Sequence, residues 1–232
     1  MVPQPLSRST LARSSLALAA VMALALPVSA ESHDHDHDHD HDHAEAHSHD
    51  HDEDAQRIYK GLFTDEEIQP RTLADWEGDW QSVYPLLQDG SLDEVMAHKA
   101  EHGDKSAQEY ADYYAIGYET DVDRIVIDGS SFTFWSGETS VEGTYESDGY
   151  EVLTYAKGNR GVRYIFEKTE GDDAAPEFVQ FSDHAVSPTD AGHYHLYWGD
   201  DRAAVLEELT NWPTYYPSEM SAEEIAHEMI AH

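Results

Sequence analysis

The chain has 232 residues, of which 13 are basic and 48 acidic, and its formal net charge is −35 with histidine neutral. It contains no cysteine, which excludes disulfides, thiolate-ligated metal sites, thiol nucleophiles and cysteine-linked lipids. A surface this negative repels phosphate backbones and anionic membranes and attracts cations, so nucleic-acid binding is disfavoured. Adaptation to a salty habitat is an equally good reason for part of the acidity.

The first thirty residues have the pattern of a secretory signal. Two arginines precede an apolar run from Leu16 to Leu26, which is too short to span a bilayer comfortably. Val28-Ser29-Ala30 then places small residues where a signal peptidase cleaves. We therefore predict a cleaved signal peptide over residues 1–30, a mature chain from Glu31, a periplasmic location and no membrane insertion. An uncleaved N-terminal anchor is the alternative.

A histidine-rich tail follows. From Glu31 to Asp54 histidine alternates with aspartate, and the segment holds nine histidines, eight aspartates and three glutamates. It has no apolar residue larger than alanine, so burial cannot offset the conformational entropy of folding and the segment is predicted to be disordered. Because imidazoles and carboxylates bind borderline divalent cations, we predict a metal-capturing tail over residues 31–54 with several weak, exchangeable sites. A solubilising leader or an expression tag is the alternative.

Residues 55–232 are predicted to form one domain with a helical front, a β-rich middle and a helical end. Three S-x-x-E capping boxes, which begin at Ser91, Ser106 and Ser221, each predict a helix start. The predicted helices cover Leu92–His102, Ala107–Tyr118, Asp200–Leu209 and a C-terminal segment that reaches Ala231.

The β-rich middle consists of short segments of β-branched and aromatic residues, separated by turn residues such as Asp128-Gly129 and Asp148-Gly149. Eight strands are predicted, enough to close an up-and-down barrel, so the expected fold is mainly β with flanking helices (α+β). The predicted strands are Gly78–Tyr84, Val122–Asp128, Ser131–Trp135, Thr139–Tyr145, Tyr150–Ala156, Val162–Lys168, Glu177–Asp183 and His193–Trp198.

Three histidines in the last predicted hairpin form a candidate metal site. His193 and His195 are two apart on a strand, so their side chains point to the same side. His184 ends the preceding strand, and the loop between them returns the chain so that it faces the pair. Three histidines leave a tetrahedral zinc ion one open position. Asp183 and Asp190 are predicted to orient the imidazoles.

The other histidines of the domain are predicted to be surface residues. His98 and His102 have ligand spacing on a predicted helix, but an exposed polar face is the usual meaning of that pattern. His227 and His232 lie in the final helix, where a favourable interaction with the helix dipole is the simpler interpretation. The chain has no H-E-x-x-H or G-x-S-x-G motif, so we predict no catalytic residues and no enzyme activity.

Five segments of the domain resemble the ZinT (YodA) family: GDWQSVYPLLQDGSLD at Gly78–Asp93, DGYEVLTYAKGNRGVRYIFE at Asp148–Glu167, FVQFSDH at Phe178–His184, HYHLYWGDD at His193–Asp201 and NWPTYYPSEMSAEEIAHEM at Asn211–Met229. The resemblance runs from about Tyr59 to the C-terminus. It implies a lipocalin-like (calycin) barrel with helices, and Gly78-Asp79-Trp80 matches the G-x-W of calycin first strands.

The resemblance also implies a metal and a partner. The family's metal histidines fall on His184, His193 and His195, the trio that strand geometry selects. The implied function is a periplasmic protein that scavenges zinc, and also cadmium, and helps deliver zinc to the solute-binding protein of a zinc ABC importer. Two other classes stay open: a zinc-dependent hydrolase or hydratase with a three-histidine site, and a calycin that carries a small organic ligand in its barrel.

Overall fold

The structure is a computed structural model that describes residues 48–155, 158–207 and 210–231, without the side chains of residues 48–53. The predicted signal peptide and residues 31–47 of the predicted tail lie outside the described residues. In chain order the described elements are α1 (Ser48–Tyr59), β1 (Gly78–Ser82), α2 (Tyr84–Gln88), α3 (Asp93–His102), α4 (Ala107–Tyr118), β2 (Arg124–Asp128), β3 (Ser131–Ser136), β4 (Thr139–Thr154), β5 (Arg160–Gly171), β6 (Phe178–Ser182), β7 (Tyr194–Gly199), α5 (Arg202–Val205), β8 (Thr214–Pro217) and α6 (Ala222–Ala231). Two short 3-10 helices, Asp65–Glu67 and Leu73–Trp76, precede β1.

The strands of the described residues form one closed barrel. Each pairs antiparallel with the next along the chain, and β8 returns to pair with β1. Closure satisfies the hydrogen bonds of both edges, so the described sheet has no unpaired edge strand. The predicted class, mainly β with flanking helices, is confirmed. Among the described residues, no helix has both the length and the apolar character needed to cross a membrane.

The barrel has eight strands in its described residues, but they are not the eight that the sequence predicts. The predicted strands Thr139–Tyr145 and Tyr150–Ala156 are one continuous strand, β4, because Asp148-Gly149 forms no hairpin turn. The pairing with β5 shifts register between Ser147 and Tyr150, which is a β-bulge, and Gly149 takes a positive φ of 83° there. The strand that completes the barrel is β8, which is not among the predicted strands.

Two of the three predicted capping boxes are confirmed. The hydroxyl of Ser106 accepts from the amide of Glu109, and the carboxylate of Glu109 accepts from the amide of Ser106. Ser221 and Glu224 make the same reciprocal pair at the start of α6. Each box satisfies amides that the first helical turn leaves without partners.

The box predicted at Ser91 is wrong. The Ser91 amide donates to the carboxylate of Asp89, and α3 begins at Asp93 with Leu92 at the N-cap position and no side-chain cap. A local aspartate turn therefore replaces the capping box at this point. The helix predicted over Asp200–Leu209 is shorter than expected: α5 covers Arg202–Val205, and residues 208 and 209 lie outside the description.

Two separate hydrophobic clusters stabilise the fold. Aromatic side chains fill the barrel interior, where Trp76 stacks on Phe181 with ring centroids 4.3 Å apart. The second cluster joins the outer side of the barrel to the helices and includes Val95 and Met96 of α3 and Ile225 of α6. Consecutive residues of β8 belong to different clusters: Tyr215 faces the interior and Tyr216 the helices.

Helix α1 connects the tail to this framework. It begins at Ser48, so the last residues of the predicted disordered tail are helical in the structure. The Arg57 guanidinium donates to the carboxylates of Asp54 and Glu67 and to the carbonyl of Leu62. The bond from Arg57 lowers the pKa of Glu67 to about 2. These contacts attach the C-terminal end of α1 to the segment that leads into β1.

Candidate metal centre

The alternation of β7 divides its side chains between two environments. Tyr194 and Leu196 are completely buried in the barrel interior. His193, directly before β7, and His195 therefore point to the opposite side, toward the helices. The candidate centre thus lies on the outer face of the barrel wall and not in the barrel cavity.

His184 joins this pair from the neighbouring strand. Ser182 at the end of β6 pairs with His195, so His184 lies two residues beyond the last pair and beside the histidine strand. The ring centroids are 5.7 Å apart for His184 and His195, 6.2 Å for His184 and His193, and 6.3 Å for His193 and His195. The structure therefore brings together the three residues that the sequence selects.

A hydrogen-bond chain sets the tautomer of His195. Its Nδ1 lies 2.8 Å from the hydroxyl of Thr214, and that hydroxyl donates to the carbonyl of Trp212 at 3.0 Å. Because the hydroxyl proton is already committed, Nδ1 must be the donor, and Nε2 of the neutral ring carries the lone pair. Burial, and next the charges of His184 and His193, lower the pKa of His195 well below its usual range, which favours this neutral form.

His193 is oriented by the C-terminal helix. Its Nδ1 lies 3.3 Å from a carboxylate oxygen of Glu228 in α6, and its ring stacks on Tyr216 with centroids 4.9 Å apart. A carboxylate that holds one imidazole nitrogen is the usual outer partner of a metal-binding histidine. Neither Glu228 nor Thr214 is predicted from the sequence, because each lies in an element far from the histidines along the chain.

Asp183, predicted to orient an imidazole, has a different partner. Both of its oxygens accept from the guanidinium of Arg71 at 2.7 Å, and it also accepts from Trp76. Arg71 has a fully buried side chain and also donates to Asp75. This buried network fixes the chain at the point where His184 takes a positive φ of 65°, a conformation that few non-glycine residues adopt. Asp190, the other predicted partner, is exposed.

The three histidines line a cavity between the barrel and the helices. This cavity has a volume of about 330 Å³, and it adjoins a second one of about 400 Å³ that His184 and His195 also line. Tyr59 of α1 and Lys99 of α3 contribute to the first cavity. The remaining histidines of the described domain are elsewhere: His98 and His102 on α3 and His227 on α6, while His232 lies outside the described residues.

The comparisons with known proteins agree with this architecture. Residues 54–232 match the family described as ZinT (YodA) periplasmic lipocalin-like zinc-recruitment. A probable metal-binding protein YrpE of Bacillus subtilis (strain 168) is 58% identical over 178 residues, which are 76% of this chain and 71% of that protein. The Zn(II)-bound ZinT-like domain of Streptococcus pneumoniae AdcA superposes with a TM-score of 0.72 at 45% identity and covers 75% of this chain and 97% of that domain.

Longer relatives contain the same region as one part. The zinc-binding protein AdcA of Streptococcus pyogenes serotype M1 is 50% identical over 180 residues, which are 75% of this chain but only 35% of AdcA. The family match confirms both the resemblance read from the sequence and the lipocalin-like type of barrel, and zinc is the metal that the family description and the solved neighbour share. This chain belongs to the ZinT (YodA) family.

Proposed function

We propose that this chain is an extracytoplasmic zinc-binding protein that holds one zinc ion at His184, His193 and His195 and delivers it to the solute-binding protein of a zinc ABC importer. The observation that carries the proposal is the convergence of three imidazoles at the adjacent ends of β6 and β7, two of them with Nδ1 held by a protein oxygen. Such anchoring leaves Nε2 as the ligand atom.

The ring separations fit a single ion. Imidazoles that bind one tetrahedral zinc ion through bonds of about 2.0–2.1 Å have centroids roughly 5 Å apart. The three separations of 5.7–6.3 Å therefore need shifts of less than about 1 Å per ring to complete the set. The fourth position is left for water, an anion or a ligand that the tail donates, so the site exchanges its ion more readily than a closed structural site.

The tail is proposed to collect metal for this site. Helix α1 includes the last residues of the tail, and its C-terminal residue, Tyr59, contacts the His184 ring with centroids 4.3 Å apart. The tail is therefore linked to the candidate centre through a helix of 12 residues, which is about 18 Å long. Many weak imidazole and carboxylate sites raise the local concentration of zinc, and cadmium binds the same ligand types. This role requires export through the signal peptide predicted over residues 1–30, and the periplasmic description of the family supports such a location.

Delivery to a partner is supported by the architecture of the longer relatives. In AdcA the region matched by this chain is about a third of a protein that is itself named zinc-binding. The same domain thus occurs covalently joined to further sequence of a zinc-binding protein. We propose that the present chain docks transiently with a separate partner of that kind, and that zinc passes by ligand substitution through the open fourth position.

The two alternatives have less support. The relatives are named for metal or zinc binding and not for a reaction, so we propose that the chain is not an enzyme. A carrier of an organic ligand needs room in its barrel, whereas the interior of the described barrel is packed with aromatic rings such as Trp76, Phe132 and Phe181.

Zinc titration of the mature chain against a competing chromophoric chelator tests the binding step. We expect His193→Ala/His195→Ala to remove one tight site, with affinity lost by more than roughly 100-fold, and to leave the weaker tail sites. The control is His227→Ala, which removes an exposed imidazole of α6 and should keep the tight site. An unchanged tight site in the first variant rules out the proposed trio.

Mixing zinc-loaded mature chain with the metal-free solute-binding protein tests delivery. We expect zinc to reach the partner faster than free-ion release from the chain allows, as followed by stopped-flow fluorescence. A variant that lacks residues 31–47 should load more slowly from dilute zinc and still transfer its ion. If the rate of zinc transfer never exceeds the rate at which free zinc dissociates from the chain, delivery by docking is wrong. That result would leave the proposal of zinc binding by the three histidines unaffected.

A further inference from the structure

A second group of metal-ligating side chains lies on α3, outside the centre described above. His98, Glu101 and His102 follow the spacing i, i+3, i+4, which places them on one face of the helix. One ligand atom from each lies within 4.8 Å of the others, and the two imidazole centroids are 4.6 Å apart. His98 is half-buried, and Glu101 and His102 are exposed, so a cation can reach all three from solvent.

The tautomer of His102 suits metal binding. Its Nδ1 lies 3.0 Å from the backbone carbonyl oxygen of His98. A carbonyl oxygen only accepts, so Nδ1 must carry the proton, and Nε2 of the neutral ring holds the lone pair. A backbone carbonyl on the far nitrogen is the kind of partner that orients metal-binding histidines.

The electrostatic surroundings favour a cation at this position. The three residues lie in the last part of α3, where the free carbonyls give the helix its negative end. The nearby cationic side chains are engaged elsewhere: the Lys99 ammonium lies over the Tyr114 ring, 5.4 Å from its centroid, and Lys105 is paired with Asp104 at 2.9 Å. The net charge of −35 adds a general attraction for cations.

We propose that His98, Glu101 and His102 form a second, surface metal site for zinc or another first-row divalent transition cation. Ligand atoms on one such ion lie roughly 3–3.5 Å apart, and exposed side chains on a helix end can rotate to close the remaining gap. Two imidazoles and one carboxylate bind the ion, and water completes its coordination. Helix α3 also supplies Lys99 to the cavity of the three histidines, so the second site lies on an element that borders the candidate centre.

Tryptic digestion separates the two histidines of this site into different peptides, so each can be followed in the full mature protein. Cleavage after Arg71, Lys99 and Lys105 gives the peptides 72–99 and 100–105, whose single histidines are His98 and His102. The mature protein, first stripped with a chelator, is exposed to diethylpyrocarbonate, which acylates free neutral imidazole nitrogens, with and without zinc. Mass spectrometry then follows acylation of each peptide with time.

We expect saturating zinc to slow acylation of His98 and His102 together, by about tenfold, whereas magnesium, which prefers oxygen ligands, leaves both rates unchanged. His102→Ala should abolish the protection of His98, and Glu101→Gln should raise the zinc concentration needed. His227→Ala on α6 is the matched control and should change neither. Unaltered acylation rates in zinc, or protection of His98 that survives His102→Ala, overturn the proposal. Peptide 169–202 contains His184, His193 and His195, so its acylation in the same digest measures zinc binding at the candidate centre. A failure of one site can therefore be distinguished from a failure of the other.

Discussion

The inner and outer faces of the barrel wall differ in packing and in polarity. Inside, aromatic rings such as Phe132 and Phe181 pack against one another and exclude solvent. Outside, between the same wall and the helices, His193 and His195 border cavities and have polar partners. This lipocalin-like barrel therefore has a packed interior, and its candidate site lies on the outer surface of the barrel wall. Substitutions on the two faces should therefore separate stability from zinc binding.

Arg71 is the position where the two faces are coupled, and we expect the largest effect there. Its buried guanidinium holds Asp183, next to His184, and stacks over the Trp76 ring at 4.1 Å. Arg71→Ala leaves a buried carboxylate without its cation, so the free energy of unfolding should fall by about 3–5 kcal/mol, as measured by urea titration. Zinc affinity should fall as well, because His184 loses its support. Adding Asp183→Asn should restore part of the stability; a double variant that loses the sum of both single effects contradicts the coupling.

A substitution on the inner face should affect stability alone. Phe132 is fully buried and stacks on Phe134 with centroids 4.5 Å apart. We expect Phe132→Ala to lower the free energy of unfolding by about 3–5 kcal/mol and to leave the zinc dissociation constant of the folded protein within roughly twofold. Phe132→Leu is the milder control. A large loss of zinc affinity in folded Phe132→Ala means that the two faces are not independent.

A substitution on the outer face should affect zinc binding and not stability. Thr214→Val keeps the shape of the side chain but removes the acceptor for Nδ1 of His195. Zinc affinity should fall by about 10–100-fold, the usual cost of losing a partner that orients a ligand. Thr214→Ser, which keeps the hydroxyl, should retain the affinity in the same chelator competition. Equal affinities of Thr214→Val and the unaltered chain show that the bond does not orient His195 for metal.

The smallest effect concerns pH in the metal-free protein. The pKa of His195 is lowered by burial, so the unfolded chain takes up a proton on this residue at a higher pH than the folded chain. Folding stability should therefore decrease as the pH falls below the ordinary histidine value of about 6.5, by up to roughly 1.4 kcal/mol per pH unit from this group. Side-chain NMR should show His195 still neutral below pH 6.5. A protonation step at or above that pH contradicts the expected shift.

Local chemistry explains which parts of the fold could be predicted. The capping boxes at Ser106 and Ser221 involve residues three apart, so the pattern contains the whole interaction. At Ser91 the same pattern gave a wrong prediction, because the Ser91 amide donates to the nearby carboxylate of Asp89. The hairpin turn predicted at Gly149 was wrong for a related reason. A glycine with positive φ fits a hairpin turn and a β-bulge equally well, and pairing with the long strand β5 selects the bulge.

The three candidate histidines could be predicted from the sequence because two-residue alternation places His193 and His195 on one face, and a hairpin brings His184 beside them. Their orienting groups could not. Thr214 and Glu228 come from β8 and α6, and their positions depend on closure of the barrel and on packing of the helical layer. No periodicity in the sequence encodes a contact between elements that distant.

The amino-acid sequence establishes the acidic, cysteine-free character of the protein, and it predicts the three candidate histidines and most of the barrel strands, but not β8 or the unbroken course of β4. Those features depend on composition and on neighbours along the chain. The folded arrangement, by contrast, sets the position of the histidines outside the barrel, the nitrogen of His195 that carries the lone pair, and the contact through which Arg71 supports the chain at His184. Those depend on burial and on hydrogen bonds between distant segments, which exist only after the chain has closed on itself.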